Sequence, residues 1–252
     1  MKELKHPNIV KYYGSEVEGN FQKIYLEYVD MGSIASMLKI YGPFPEEVVI
    51  RYTKQILLGL EYLHYHGLIH RDIKGANILV NNDGLVKLSD FGSARKIQQS
   101  FLNSFIGTTC WMAPEILLDK NYEWYADIWS LGCTVFEMLT GKPPFIGWSH
   151  YEISLKVINY SETEYKFPSH ISLLAKDFIL CCLKKIPYKR YNVKKLLSHP
   201  FILKADIDFT DEIFDNESEL VFDDDNEKII FKDKLKNEDS TGISSFNINK
   251  SN

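Results

Sequence analysis

Eight consecutive residues, His70-Arg71-Asp72-Ile73-Lys74-Gly75-Ala76-Asn77, put a carboxylate, an ammonium and a carboxamide into one short stretch. A second carboxylate, Asp90, follows Asp72 by 18 positions and opens Asp90-Phe91-Gly92. A third string, Ala113-Pro114-Glu115, stands downstream. Oxygen groups such as those of Asn77 and Asp90 suit a hard cation, magnesium above all. Lys74, two residues beyond Asp72, projects to the same side and could neutralise an anion there. Gly92 lets the backbone turn sharply after Asp90. Taken singly, Asp72 reads as well as a helix cap and Asp90 as a turn former. All three strings in this order and at this spacing do not arise by chance.

The elements around these strings are legible from periodicity. Residues 9–29 hold two apolar-rich runs separated by Glu18-Gly19-Asn20, an antiparallel hairpin pattern. After Asp30-Met31-Gly32-Ser33 the pattern changes period. Pro45, Glu46 and Glu47 predict a helix start, with proline at the first helical position and acids in the first turn. Val48, Val49, Tyr52, Ile56, Leu60 and Leu63 then form an amphipathic stripe that Gly67 should stop. Two short strands, NILV and LVKLSD, flank the turn cluster 81–84. From about residue 125 onward the signals are helical. The run ADIWSLGCTVFEMLTG is apolar almost all round, as a buried helix is, and further helices are expected near 150–159, 171–183 and 192–198. Strands first and helices afterwards make an α+β fold.

Composition excludes several classes. In 252 residues, 45% hydrophobic and 25% charged is the balance of an ordinary globular protein, not of a collagen or a coiled coil. The net charge of −5 argues against a nucleic-acid partner or a polybasic membrane binder. No apolar run reaches the roughly 18–20 residues of a membrane span, and residues 1–10 lack a signal-peptide core. The charge is uneven: residues 1–203 sum to +3 and residues 204–252 to −8. The latter are expected to form an acidic, disordered tail, in which Ile229, Ile230 and Phe231 could still dock as a short segment. Cysteines at 110, 133, 181 and 182 show no C-x-x-C spacing, so reduced thiols and a cytoplasmic location are expected.

In order and placement the three strings resemble the catalytic loop, magnesium loop and activation-segment end of eukaryotic protein kinases. The resemblance covers residues 1–203 and implies a two-lobed fold with a mainly helical large lobe. It implies ATP and magnesium as cofactors. Phosphoryl transfer needs positioning and charge neutralisation more than covalent help. By resemblance Asp72 accepts or orients the substrate hydroxyl proton, Lys74 neutralises the γ-phosphate, and Asn77 and Asp90 hold magnesium. Lys74 with Thr108 in Gly107-Thr108-Thr109-Cys110-Trp111-Met112 resembles the serine/threonine pattern, Thr108 bridging Asp72 and Lys74. Arg71 marks kinases whose activation segment is ordered by phosphorylation, and Ser104 stands where that phosphate is carried, added by an upstream kinase or by autophosphorylation.

The resemblance also makes Leu26 the gatekeeper, Glu27 and Val29 the residues offering backbone groups to adenine, and Leu79 the side chain beneath its ring. Asp127 resembles the buried aspartate that holds the catalytic-loop backbone, and Arg190 the partner of Glu115. The wording of HPNIVKYYG, EYVDMGSIASMLK and GTTCWMAPE is most similar to MAP kinase kinase kinases of the Ste group, whose substrates are MAP kinase kinases. No G-x-G-x-x-G occurs in the chain. The glycine-rich loop, the ATP-anchoring lysine strand and most of the following helix are expected to be missing, leaving a hairpin remnant of the small lobe and weak Mg-ATP binding. Two readings follow: an active kinase of which this chain is a truncated product, and a catalytically inactive, kinase-like binding or scaffold protein. Retention of Asp72, Lys74, Asn77, Asp90 and Thr108 favours the first.

Overall fold

The longest amphipathic stripe forms the longest helix. In the computed structural model, which describes residues 4–19, 21–90, 108–118, 123–161, 167–206, 219–223 and 228–232, α2 spans Glu46–Tyr65 and buries Val49, Ile56, Leu60 and Leu63. Pro45 stands at its N-cap and not at its first helical position, with extended ψ of 146° and a carbonyl that accepts from the Val48 and Val49 amides. At the other end Gly67 adopts φ +67°, its amide donates to the His64 carbonyl, and the Leu68 amide donates to the Leu63 carbonyl. That pair of bonds is a Schellman stop, which a left-handed glycine permits without strain.

Ahead of α2, strands β1 (Tyr12–Glu18) and β2 (Phe21–Leu26) pair antiparallel, as the two apolar runs predicted. Both faces of this hairpin are largely bare: Tyr13, Val17, Phe21 and Ile24 are all exposed. Helix α1 (Ile34–Tyr41) follows, opened by a Ser33–Ser36 capping box in which each serine accepts from the other's backbone amide. The period change after Ser33 marks this helix, with Gly42 as its stop.

Strands β3 (Ile78–Val80) and β4 (Val86–Leu88) form the predicted second hairpin. The stretch before β1 is sewn to β4: the Val10 amide donates to the Leu88 carbonyl at 2.9 Å, and the Leu88 amide to the Asn8 carbonyl at 2.9 Å. Asn8 Nδ2 adds a bond to the Val86 carbonyl.

Helices α3 (Pro114–Leu117), α4 (Trp124–Thr140), α5 (His150–Ile158), α6 (Leu173–Cys182), α7 (Val193–Leu197) and α8 (Pro200–Leu203) complete the first unit. Helix α4 is buried nearly throughout and ends at a left-handed Gly141. Its Trp129 is fully buried and meets Tyr160 edge-on. All four cysteines are free and buried. Among the described residues no helix is long and apolar enough to cross a membrane.

The first compact unit spans Met1–Ile207, and in it Lys204–Asp206 forms a 3-10 turn whose Ala205 packs on the core. The second unit contains ten described residues. Strands β5 (Glu219–Asp223) and β6 (Lys228–Lys232) pair antiparallel, Val221 opposite Ile230. Leu220-Val221-Phe222 and Ile229-Ile230-Phe231 are strand-forming triplets inside otherwise charged text.

Candidate active site

The loop between α2 and β3 carries Arg71, Asp72 and Lys74 and closes in a 3-10 turn at Gly75–Asn77. Its backbone is held from below by Asp127 of α4, which is fully buried. The His70 amide donates to Asp127 Oδ2 at 2.9 Å and the Arg71 amide to Oδ1 at 2.8 Å. His64 Nε2 lies a further 2.9 Å from Oδ2. With that support Arg71 keeps a left-handed φ of 72°, a conformation that costs a non-glycine residue on the order of 1–3 kcal/mol. The buried His70 imidazole accepts from the Asp72 amide through Nδ1. Burial lowers its pKa, against the pull of Asp127, Asp72 and Asp90.

Asp72 is held on one side only. Its Oδ2 accepts from Lys74 Nζ at 2.8 Å and from Asn77 Nδ2 at 2.7 Å. Its Oδ1 is buried and has no hydrogen-bond partner among the described residues. A buried carboxylate oxygen without a donor is costly. Lys74 Nζ also donates to Thr108 Oγ1 at 2.9 Å. The expected bridge therefore runs through Lys74: its ammonium joins Asp72 to Thr108, and no Asp72–Thr108 bond is found among the described residues.

Asn77 and Asp90 are brought together through Ser89, whose amide and hydroxyl both donate to the Asn77 carbonyl at 2.9 Å. Asn77 spends its amide nitrogen on Asp72, which leaves its side-chain oxygen for a cation. Asp90 is exposed, two residues beyond β4, with a left-handed φ of 58°. One carboxamide oxygen and one exposed carboxylate are hard donors of the kind magnesium takes, so this pair fits that ion.

At the hinge, Leu26 ends β2 and is half exposed, whereas Val29 is buried. The Glu27 amide donates to the Lys11 carbonyl, and the Val29 amide donates to none of the described residues. The Glu27 carboxylate is clamped by the Lys11 amide at 3.0 Å and by Lys87 Nζ at 3.0 Å, and Lys87 also reaches the Pro7 carbonyl. Partial burial pushes this carboxyl up, but those bonds together hold it below the usual range. Leu79 sits mid-strand in β3, bridged to Ser33. Phe91, Gly92, Ser104 and Gly107 lie outside the described residues.

Downstream, Glu115 at the start of α3 makes a two-pronged pair with the buried Arg190, at 2.6 and 2.7 Å. Arg190 also donates to the Tyr125 and Lys184 carbonyls and lies 5.1 Å over the Trp129 ring. Sequence reasoning missed Glu137 of α4, whose carboxylate accepts from the Gly75 amide and the Trp111 indole. Its signal was available: it is the lone acid in the apolar run after Asp127. A cluster of Asp177, Cys181 and His199 is closed by its own bonds. His199 Nδ1 accepts from the Phe201 amide, so Nε2 carries the proton given to Asp177. Burial pushes the Cys181 thiol up to about 11.

Comparison with known proteins bears on residues 1–202, which match the family model described as protein kinase domain. The mitogen-activated protein kinase kinase kinase ANP1 of Arabidopsis thaliana is 47% identical over 207 residues, 81% of this chain and 31% of the relative. Mitogen-activated protein kinase kinase kinase 3 of the same plant is 48% identical over 209 residues, 80% of this chain and 32% of the relative. Mitogen-activated protein kinase kinase kinase A of Dictyostelium discoideum is 44% identical over 208 residues, 82% of this chain and 22% of the relative. The chain spans about a third or less of the length of these relatives.

Proposed function

This chain belongs to the protein kinase family, is similar to MAP kinase kinase kinases, and on that premise we propose that it transfers the γ-phosphate of ATP to serine or threonine of a MAP kinase kinase. The observation that carries this reading is the asymmetric Asp72 carboxylate: Oδ2 is fixed by Lys74 and Asn77 while Oδ1 has no donor among the described residues. Asp72 Oδ1 receives the hydroxyl hydrogen bond and orients the attacking oxygen. As the new O–P bond forms and the bond from γ-phosphorus to the bridging oxygen breaks, Asp72 takes the proton. Lys74, steered by Thr108, sets its ammonium against the charge on the transferring group.

Asn77 and Asp90 would hold magnesium, which supplies neutralisation of the phosphate charge when bound. The Glu27 carbonyl and Val29 amide would receive the adenine edge, with Leu26 beside it and Leu79 beneath. Arg71 would pair with a phosphate on Ser104, placed there by an upstream kinase or by autophosphorylation. Support for the substrate class comes from the relatives, named as kinases of MAP kinase kinases.

Replacing Asp72 by Asn removes the proton acceptor and keeps the shape. In the intact protein, transfer of radiolabelled phosphate to an inactive MAP kinase kinase should fall about 10²–10⁴-fold, the usual contribution of a positioned base. Far-UV circular dichroism should show an unchanged fold. Undiminished transfer by D72N would overturn the assignment.

A further inference from the structure

Helix α4 contributes two acids to the site floor, and only Asp127 acts on the loop through residues already assigned. The other, Glu137, is 5% exposed and sits between two segments that are far apart in sequence. Its Oε2 accepts from the Gly75 amide at 3.1 Å and from Trp111 Nε1 at 3.0 Å. Gly75 directly follows Lys74, and Trp111 ends the short 3-10 turn that begins after Thr108, where the Trp111 amide donates to the Thr108 carbonyl. One oxygen atom thus ties a backbone amide on one side of the Lys74–Thr108 hydrogen bond to a side-chain indole on the other. From this we infer that Glu137 is a positioning residue for phosphoryl transfer: it sets the register between the catalytic loop and the turn that carries Thr108, and so the place of the Lys74 ammonium.

Three further features support the tie. A Cβ added at Gly75 would lie 2.9 Å from Glu137 Oε2 and 3.0 Å from Oε1, so the close approach requires glycine on the loop. The Ser130 hydroxyl, two turns earlier on the same face of α4, donates to the Trp111 carbonyl and fixes the other end of the same residue. Burial pushes the Glu137 carboxyl up, while the Gly75 and Trp111 bonds and the Lys74 charge pull it down. A buried acid is unfavourable for stability, which is understandable where it does a positioning task.

The inference rests on the phosphoryl-transfer reading, and its test separates the two. In the intact protein, Glu137→Ala should lower kcat about 10²-fold, the scale of an ångström-sized misplacement. KM for ATP should stay within about threefold, because no binding contact is removed. Glu137→Gln keeps a carbonyl acceptor and should recover most of kcat. Hydrogen exchange supplies a readout independent of turnover: in E137A the Gly75 amide and the Trp111 indole N–H should lose protection together. The His70 and Arg71 amides, held by Asp127, should keep theirs. Unchanged exchange at Gly75 and Trp111, or wild-type kcat in E137A, would overturn the inference. Should E137A not fold, Gly75→Ala drives a methyl into the carboxylate and should reproduce the kcat loss with KM kept; a fully active G75A also overturns it. Paired loss of protection in a protein whose wild type transfers no phosphate would sink the kinase reading and leave the tie standing.

Discussion

His70 shows how one residue's surroundings set its chemistry. Its imidazole is fully buried, and burial lowers its pKa below the usual 6.5 despite three nearby aspartates. The folded chain therefore binds fewer protons than the unfolded chain between the lowered value and 6.5. Stability must then rise with pH through that window and be lost as pH falls below 6.5. The urea midpoint should drop between pH 7 and pH 5.5, and nitrogen-15 spectra at pH 6.5 should show His70 neutral. A His70 ring already half protonated at pH 6.5 in the native state would contradict this. Acid would thus unsettle the loop that bears Asp72 through a group that takes no direct part in the transfer. The same one-sided economy governs Asp72, one oxygen of which has no donor among the described residues while the other is doubly held.

Among the elements, α4 anchors the most distant pieces. It fixes the catalytic loop through Asp127, the Gly75–Trp111 pair through Glu137, and the Arg190 guanidinium through Trp129 and the Tyr125 carbonyl. Removing Glu115 by Glu115→Ala strands the Arg190 charge in a site where it is 3% exposed, and should cost about 3–5 kcal/mol in chemical denaturation. A loss below about 1 kcal/mol would mean that the remaining carbonyl partners suffice. Much of this was legible. The stripe of α2 and the apolar run of α4 predicted both helices, and the first string put Asp72, Lys74 and Asn77 in one short stretch, which lies between α2 and β3. What could not be read was three-dimensional coincidence. That Lys74, and not Thr108, forms the bridge depends on a 34-residue separation closing to 2.9 Å. Glu137 is a lone acid in an apolar run, and nothing in that run tells that Gly75 and Trp111 converge on it. Lys87, which joins Pro7 to Glu27, had no local signature at all.

Over the whole molecule, long-range stitches substitute for sheet size. Among the described residues each sheet has two strands, yet the segment 8–10 is pinned to β4, so the β1–β2 hairpin hangs from the strand that leads to Asp90. The charge division is +3 for residues 1–203 against −8 for residues 204–252, so the net negative charge of the chain belongs to the latter. The buried cysteines carry a practical consequence. With burial raising every thiol, and Cys133 and Cys182 most of all, none offers a reactive thiolate to a folded-state reagent. A chromogenic disulfide reagent should therefore stay colourless over the native chain and develop only as fast as the chain opens. Cys110, beside Trp111, should respond to local breathing of the activation segment, and Cys133 with Cys182 only to complete opening of the α4–α6 packing. Immediate colour from Cys133 would refute this. Two rates read from one colour would then time the loosening of the active-site rim separately from the loss of the core, with no dye or label engineered into the protein.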